Sequence, residues 1–423
     1  MKVAKKVPLL TFQCYKMVSK RGNNMITKGL LDKIYEAASI QRWNDHVRPV
    51  EFTELDKQAH KMILAYVLGK LEESEGHAQI DWLKLIEGGI FEFFPRVILT
   101  DIKAPVFHKL MSRKGREINT LVLQKIDRDI KALGGDFERN FRDYLFDADY
   151  ARFEKRILKA AHYLATNWEF QIIYNTAPFV YGIDKTKEEI ENQIEDHYDL
   201  IGVQKLSLRK KSFGFIDLCA QLRFQQRWAH SPRVPKTSVL GHMLIVAMIS
   251  YFCSVEMGAC RKRTYNNFFS GLFHDLPEVL TRDIVSPVKS SVEGLDEIIK
   301  DYERMQFEER ILPLLPSSIR DEVIYFIQDE FSNKIVENNK VRKDIPGPQM
   351  QIYNQDHFSP LDGEVIRGCD KLAAFIEASL SINHGIRSQH LTDGREKIYR
   401  EYGNLGSGGI NFTELFDYYG WQE

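Results

Sequence analysis

The chain has 423 residues, enough for two or three domains and a sizeable buried core. Its 58 Lys and Arg residues are balanced by 59 Asp and Glu residues, so the formal net charge of −1 gives no strong signal for nucleic acid or an anionic membrane as a partner. The five cysteines are odd in number and never spaced as CxxC. This argues against a disulfide framework or a zinc knuckle and favours a reducing, intracellular setting.

Apolar residues recur with helical periodicity through most of the chain. The segments LLDKIYEAASIQRW and EKRILKAAHYLATNWEF show this period, whereas runs of alternating β-branched residues are scarce. The sequence therefore predicts an all-α fold.

Two apolar stretches bear on membrane association. The N-terminal run VPLLTF is too short for a signal peptide, and the apolar window 239–253 is shorter than a bilayer span and contains a histidine. We therefore expect 239–253 to be a buried helix in a soluble, cytoplasmic protein that has no membrane partner.

A charge-dense stretch near the middle of the chain suggests the domain organisation. We predict one helical domain over 1–185, a linker over 186–211 that is partly a solvated helix, and a second helical domain over 212–423. The polar segment 333–360, interrupted by two prolines, is predicted to be an inserted loop or lid in the second domain.

The two halves share a sequence frame. Two segments that end in Gln-Arg-Trp, LLDKIYEAASIQRW and FIDLCAQLRFQQRW, match each other. Further on, 32 residues separate His60 from Glu92, and 32 separate His242 from His274. This common spacing predicts a tandem repeat in which His60 pairs with His242.

The first copy lacks the residues that could carry chemistry in the second. It has Phe93 where the second copy has Asp275, and Arg96 where the second has Glu278. Because phenylalanine cannot bind a metal, we interpret the first copy as a degenerate domain. It could serve as a built-in packing partner, or it could bind the same ligand as the second copy without reacting with it.

The second copy contains a pattern of potential metal ligands: His242, then the adjacent His274 and Asp275, then Asp370. A divalent-metal site needs several nitrogen and oxygen ligands that the fold brings together. This order, with FHDLPEVLTRDIVSPVK and the upstream QQRW, resembles the HD-domain metal-dependent phosphohydrolase superfamily. More narrowly, it resembles the YfbR-type 5'-deoxynucleotidases.

The resemblance implies roles for individual residues. His242, His274, Asp275 and Asp370 would hold one divalent metal cation, which could be Mn, Co, Fe, Ni, Zn or Mg. Glu278 would act as the acid and base for the attacking water. Relatives often have an acidic residue immediately before the first metal histidine, whereas this chain has Gly241 there.

The resemblance also implies contacts to a nucleotide substrate. Asp283 would contact the sugar, Arg227 and Lys289 the phosphate, and Trp228 the sugar or base, where it would help to exclude a 2'-hydroxyl. A structural alternative stays open for Asp283, Arg227 and Trp228, because the first copy also has Asp, Arg and Trp at the matching positions. Lys289 could equally be a solvated charge.

These observations lead to one main function and several alternatives. The main expectation is hydrolysis of (deoxy)nucleoside 5'-monophosphates by a monomeric pseudo-dimer or a homodimer. The insertion over 333–360 leaves room for a nucleotide triphosphohydrolase or a signalling-nucleotide hydrolase. A non-catalytic nucleotide-sensing or nucleic-acid-binding HD protein is the alternative from a different functional class.

Overall fold

Helices account for most of residues 24–100, 102–282 and 294–420, which are the residues that this computed structural model describes. The predicted all-α fold is confirmed. The α-helices are α1 (Lys28–Glu36), α2 (Glu54–Ser74), α3 (Trp82–Leu99), α4 (Ala104–Ala132), α5 (Gly135–Phe146), α6 (Arg152–Thr176), α7 (Ile183–Glu195), α8 (Ile201–Ser207), α9 (Lys211–Gln221), α10 (Val239–Glu256), α11 (Arg261–Phe273), α12 (Glu278–Thr281), α13 (Leu295–Gln306), α14 (Ser317–Ile327), α15 (Gly363–Asn383), α16 (Gln389–Tyr402) and α17 (Phe412–Asp417).

The strands of the described chain are short and pair as antiparallel hairpins between neighbours. They are β1 (Gln41–Arg42) with β2 (Phe52–Thr53), β3 (Ile335–Glu337) with β4 (Lys340–Arg342), and β5 (Gly406–Ser407) with β6 (Ile410–Asn411). Single turns of 3-10 helix occur at Leu222–Phe224, Leu312–Leu314, Gly347–Gln349 and Asp356–Phe358, and a π-helical turn at Phe307–Ile311 follows α13.

Helix α10 forms the centre of the core. Its N-cap is Ser238, whose side-chain oxygen accepts a hydrogen bond from the backbone N–H of Gly241. It packs against α11, α15 and α2. Among the described residues it is the helix long and apolar enough to cross a membrane, yet 89% of that window is buried inside the protein. It is therefore the core helix that its sequence predicts.

The two halves are joined by one continuous apolar core. A single cluster of buried side chains runs from Ile26 to Tyr419 and includes residues of α2, α3, α10 and α15. Near the N-terminus, the Tyr35 hydroxyl donates to the Ala373 carbonyl at 2.9 Å, which ties α1 to α15. The predicted domains therefore do not have separate cores.

The segment predicted as a linker, 186–211, is mainly helical. It includes most of α7 and all of α8, whose residues Ile190, Val203 and Leu206 are buried. Helix α7 packs on α6, and α8 packs on α2. The charge density that suggested a linker belongs to the solvated faces of these helices, and their apolar faces join them to the fold.

The segment predicted as a loop or lid, 333–360, is folded. It contains the β3–β4 hairpin and its own apolar cluster of Ile335, Ile345 and Met350. It also caps α11, because side-chain oxygens of Asn354 and Asp356 accept from backbone N–H groups at the start of that helix at 2.7 and 2.8 Å. One side of the insertion is therefore anchored to the helix that leads to His274.

Glu322 predicts how stability depends on pH. Its carboxylate lies 2.9 Å from Lys70 Nζ and 3.0 Å from Lys262 Nζ, and it accepts hydrogen bonds from Tyr66 and Tyr265. Burial alone would raise the pKa of Glu322, but the two lysines outweigh it and lower the pKa from 4.5 to about 2. The charged form therefore stabilises the fold above about pH 4.5, and this contribution is lost between about pH 4.5 and pH 2.

We expect Glu322→Gln to lower the free energy of unfolding at pH 7 by up to about 3 kcal/mol. The difference from wild type should shrink as the pH falls toward 2. Urea denaturation of both proteins at several pH values measures this. A difference that stays constant from pH 7 to pH 2.5 would contradict the assignment.

Candidate metal centre

The predicted metal ligands come from three helices that meet at the core. His242 lies in the first turn of α10, His274 directly follows α11, and Asp370 lies in the middle of α15. The crossing of α10 and α11 is close: a Cβ atom on Gly271 would lie 2.9 Å from Ala247 Cα, so a side chain there would force the helices apart. The glycine therefore lets His274 approach His242.

The ligand atoms converge. His242 Nε2 lies 3.0 Å from Asp370 Oδ1 and 3.9 Å from Asp275 Oδ2, and His274 Nε2 lies 3.2 Å from the same Asp275 oxygen. One ligand atom each from His242, His274 and Asp370 fit within 4.8 Å of one another. Within the part of the chain that the structure describes, this is the one group of three or more metal-ligating side chains at such distances.

The second nitrogen of each histidine has its own partner. His242 Nδ1 lies 3.3 Å from Glu377 Oε1, and His274 Nδ1 lies 2.8 Å from the Gly271 carbonyl oxygen. These partners orient each ring so that Nε2 points to the cluster, as in protein metal sites. Two imidazoles and two carboxylates suit a divalent cation, so the residues fit the metal that the sequence predicts.

The cluster residues stabilise each other's charged forms. Burial disfavours the imidazolium of His274, but Asp275 and Asp370 outweigh it and raise the pKa of His274 to about 9. Burial likewise disfavours the two carboxylates, yet His274 and Arg227 lower the pKa of Asp275, and Lys371 and His242 lower the pKa of Asp370. The site is thus built to hold two carboxylates ionised at neutral pH.

A cavity of about 730 Å³ opens onto this cluster. His274, Asp275 and Asp370 lie on its wall together with Arg227 and Glu278. The lining has further charged residues of both signs, mainly from α13, the segment after α14, the insertion and α15. The cations are Lys300, Arg304, Lys343, Arg367 and Lys371, and the carboxylates are Asp301, Glu303, Glu308, Asp329, Glu330 and Asp344. Three of the four predicted ligands, the predicted acid/base Glu278 and the predicted phosphate contact Arg227 therefore share one space large enough for a nucleotide.

Arg227 and Glu278 are both held close to the ligands. Arg227 NH1 lies 4.0 Å from Asp275 Oδ2, and its Nε lies 3.8 Å from Glu377 Oε2. Glu278 is the first residue of α12, and its backbone carbonyl accepts a hydrogen bond from Gln225 Nε2 at 3.2 Å. The segment that carries Arg227 is thereby tied to the helix that carries Glu278.

The remaining predicted substrate contacts are Trp228, Asp283 and Lys289. Trp228 has a left-handed backbone (φ 56°), and its indole N–H donates to Glu377 Oε2 at 3.1 Å. The ring packs over Gly394 of α16 and does not line the cavity. Its contact to a sugar or base stays a prediction. Asp283 and Lys289 lie outside the described residues.

Glu377 is a site residue that the sequence analysis missed. Its side chain is fully buried on α15 and contacts His242, Trp228 and Arg227. It also lies 3.4 Å from Arg233 NH1. It follows Asp370 by seven residues, so both residues face the same side of α15, and this spacing could have identified it.

The arrangement around Glu377 recurs in the first half of the chain. Glu169 accepts hydrogen bonds from Arg42 Nε and from the Trp43 indole N–H, both at 2.9 Å. Trp43 has the same left-handed backbone as Trp228, with φ 57°. An Arg-Trp pair thus holds a buried glutamate in each half.

Contacts in the two halves also bear on the predicted pairing of His60 with His242. Lys57 follows the N-cap of α2 by four residues, as His242 follows the N-cap of α10, and Lys57 contacts His162 as His242 contacts Asp370. The residue opposite His242 is therefore Lys57, and the pairing with His60 is wrong by three residues. One helical turn separates the two, so an apolar helical pattern fits either register.

Comparisons with known proteins agree with this geometry. A family model described as HD domain matches residues 219–399. A 5'-deoxynucleotidase of Vibrio atlanticus (strain LGP32) is 27% identical over 134 residues, which is 30% of this chain and 65% of that protein. A 5'-deoxynucleotidase of Vibrio cholerae serotype O1 is 28% identical over 113 residues, covering 26% of this chain and 57% of that protein.

The chain thus spans less than two thirds of the length of these curated relatives. The stretch matched by the family model nevertheless contains His242, His274, Asp275 and Asp370 as well as Arg227. Residues 219–399 therefore match an HD domain, and part of the chain is similar to 5'-deoxynucleotidases.

Proposed function

We propose that this protein is a metal-dependent phosphohydrolase that removes phosphate from (deoxy)nucleoside 5'-monophosphates. The observation that carries the proposal is the convergence of metal-ligating side chains on the wall of a cavity that also holds an arginine and a buried glutamate. The similarity of part of the chain to 5'-deoxynucleotidases supports the choice of substrate class.

In this proposal His242, His274, Asp275 and Asp370 hold one divalent cation. When bound, such an ion makes water nucleophilic at neutral pH and acts as a Lewis acid toward a phosphoryl oxygen. Arg227, which faces the same cavity, binds the phosphate through charge-assisted hydrogen bonds. The residues of the chain thereby orient the phosphorus toward the attacking water.

Glu278 is proposed as the acid and base. The residue is 8% exposed and lines the cavity beside the ligand cluster. It accepts a proton from the water that attacks phosphorus and returns a proton to the leaving 5'-oxygen. The products are a nucleoside and inorganic phosphate. By the resemblance, Asp283 contacts the sugar, Trp228 the sugar or base, and Lys289 the phosphate.

Phosphate release from a panel of nucleotides tests this function. The panel contains ribo- and deoxyribonucleoside 5'-mono- and triphosphates, each assayed with Mn, Co, Ni, Zn and Mg. We expect the protein to release inorganic phosphate from the monophosphates and to leave the triphosphates unhydrolysed. Absence of hydrolysis across the panel would favour the non-catalytic, nucleotide-sensing or nucleic-acid-binding alternative.

A nucleotide triphosphohydrolase is a second candidate because of the charge that the insertion and α15 bring to the cavity. Lys343, which follows β4 and pairs with Asp329 of the same lining, and Arg367 both face the cavity, in addition to Arg227. Extra cations could neutralise a longer phosphate chain or a signalling nucleotide. Release of triphosphate or pyrophosphate in the same panel would identify this activity.

Glu377 is proposed as a positioning residue for His242. Removing its charge while keeping its shape, as in Glu377→Gln, should weaken divalent-metal affinity about 10- to 100-fold, because the ring of His242 loses its carboxylate partner. Metal titration of the chelator-treated protein measures this. Glu364→Gln, on the same helix but away from the ligands, is the matched control. Equal affinities in the two variants would contradict the role.

We propose that residues 1–185 are a degenerate copy of the HD domain that serves as a built-in partner for the active copy. The repeated Arg-Trp-Glu contacts and the shared apolar core support this. We expect a monomer, because the first copy already covers the second copy's interface. We also expect the protein to be soluble and cytoplasmic. Sedimentation of the full chain at 49.3 kDa is expected. A dimer at micromolar concentration would contradict the pseudo-dimer.

A further inference from the structure

A second cavity, of about 910 Å³, lies between α2, α6, α7, α8 and α9. It shares no lining residue with the cavity of the metal centre. Its volume is that of a small-molecule site. Its apolar wall is formed by Leu64, Leu164, Ile172, Ile194, Phe213 and Ile216.

Within the part of the chain that the structure describes, His60 places a hydrogen-bond donor without an acceptor at the wall of this cavity. The side chain is fully buried and lines the cavity. Its Nδ1 lies 3.5 Å from a guanidinium nitrogen of Arg223, and because arginine only donates, Nδ1 is the acceptor and Nε2 carries the hydrogen of the neutral ring. Among the described residues, Nε2 has no hydrogen-bond partner. A buried donor without an acceptor costs about 1–3 kcal/mol, so a molecule that offers an acceptor would be favoured here.

The aromatic wall of the cavity is held in place. The Trp168 indole N–H donates to Asp217 Oδ1 at 2.7 Å, and the ring meets His60 edge to face with centroids 5.6 Å apart. Phe213 lines the same space, beneath the guanidinium of Arg209. Fixed aromatic faces favour a flat, heteroaromatic ligand.

The charges around the cavity distinguish between ligand classes. Its lining has three carboxylates, Glu191, Glu195 and Asp217, against two cations, Lys187 and Arg209. In the described part of the chain, no group of metal-ligating side chains lies here to offset this excess. A phosphate dianion is therefore disfavoured, and an uncharged molecule is favoured.

We propose that this cavity binds a nucleoside, with a base carbonyl or ring nitrogen accepting the hydrogen bond from His60 Nε2. The flat shape, the acceptor and the lack of charge follow from the cavity. The choice of a nucleoside among uncharged heterocycles rests on the proposed function, which releases that class of molecule.

Calorimetric titration of the full-length protein with deoxyadenosine, deoxycytidine and thymidine tests the site. The variants His60→Leu, which removes the donor, and Leu164→Trp, which fills the cavity, should each weaken binding at least about 10-fold. Leu121→Trp adds the same bulk at an exposed position outside the cavity and should bind as wild type does. Asp275→Asn, in the metal centre, should also retain binding, so the result does not depend on hydrolysis.

Three outcomes would overturn the proposal. One is that none of the three nucleosides binds. Another is binding that persists in Leu164→Trp or disappears in Asp275→Asn, which would place the nucleoside elsewhere. The third is binding of deoxyadenosine 5'-monophosphate to Asp275→Asn as tightly as deoxyadenosine. Circular dichroism checks that each variant is folded. If His60→Leu does not fold, the binding measured with Leu164→Trp tests the proposal instead.

Discussion

Replacing Asp275 with asparagine is expected to reduce phosphate release by at least about 10³-fold. The substitution keeps the shape of the side chain but removes the negative charge that lies 3.2 Å from His274 Nε2 and 3.9 Å from His242 Nε2. Without that charge the cluster loses one of its two carboxylates. Steady-state release of inorganic phosphate at saturating metal measures the effect.

The matched control is a carboxylate of the same cavity that does not belong to the ligand cluster. Asp301 lines the cavity, but its exposed side chain pairs with Arg304 at 2.9 Å. Asp301→Asn should therefore change phosphate release by less than about 3-fold, in keeping with the small contribution of an exposed ion pair. Similar rates for the two variants would contradict the assignment of Asp275 as a ligand.

The largest loss of stability is expected from Asp362→Ala. Arg263 Nε and NH2 donate to the two oxygens of Asp362 at 2.7 and 2.6 Å, and both side chains are 2% exposed. Asn267 Nδ2 donates to the same carboxylate at 2.8 Å. The substitution would leave a buried arginine without its counter-charge, which costs about 3–5 kcal/mol of the free energy of unfolding. Urea denaturation at pH 7 measures it.

An exposed ion pair provides the comparison for this prediction. Glu337 pairs with Arg342 on the β3–β4 hairpin, and both side chains are solvated. Glu337→Ala should therefore lower the free energy of unfolding by about 0.5 kcal/mol or less. Because the Arg263–Asp362 pair joins α11 to the start of α15, its loss should also reduce metal affinity. A loss of stability no larger than that of Glu337→Ala would refute the structural role of the pair.

The helical class and the ligand set could be predicted because their signals are local. The helical periodicity of apolar residues can be recognised within a few turns, and the adjacent His274 and Asp275 form a recognisable pair in one loop. The order of potential ligands along the chain, which resembles that of HD-domain proteins, then added His242 and Asp370. The structure brings these residues to the same place through the contacts of α10 with α11 and α15.

Other features depend on tertiary packing, and the sequence did not reveal them. Glu377 is defined by partners from three separate segments, so its role emerges only when α15 meets α10 and the Arg227 loop. The pairing of His60 with His242 failed because a shift of one helical turn preserves an apolar face. The charges of 186–211 suggested a linker, although the buried Ile190 and Leu206 join that segment to the core.

Metal content measured together with phosphate release tests the central claim most directly. The full-length chain, stripped with a chelator and reloaded with Mn, is analysed by mass spectrometry for ions per chain and assayed on a deoxynucleoside 5'-monophosphate. The account predicts one ion per chain and phosphate release that rises with occupancy, with both lost in His242→Ala. Full phosphate release from the metal-free chain, or undiminished metal content in His242→Ala, would contradict it.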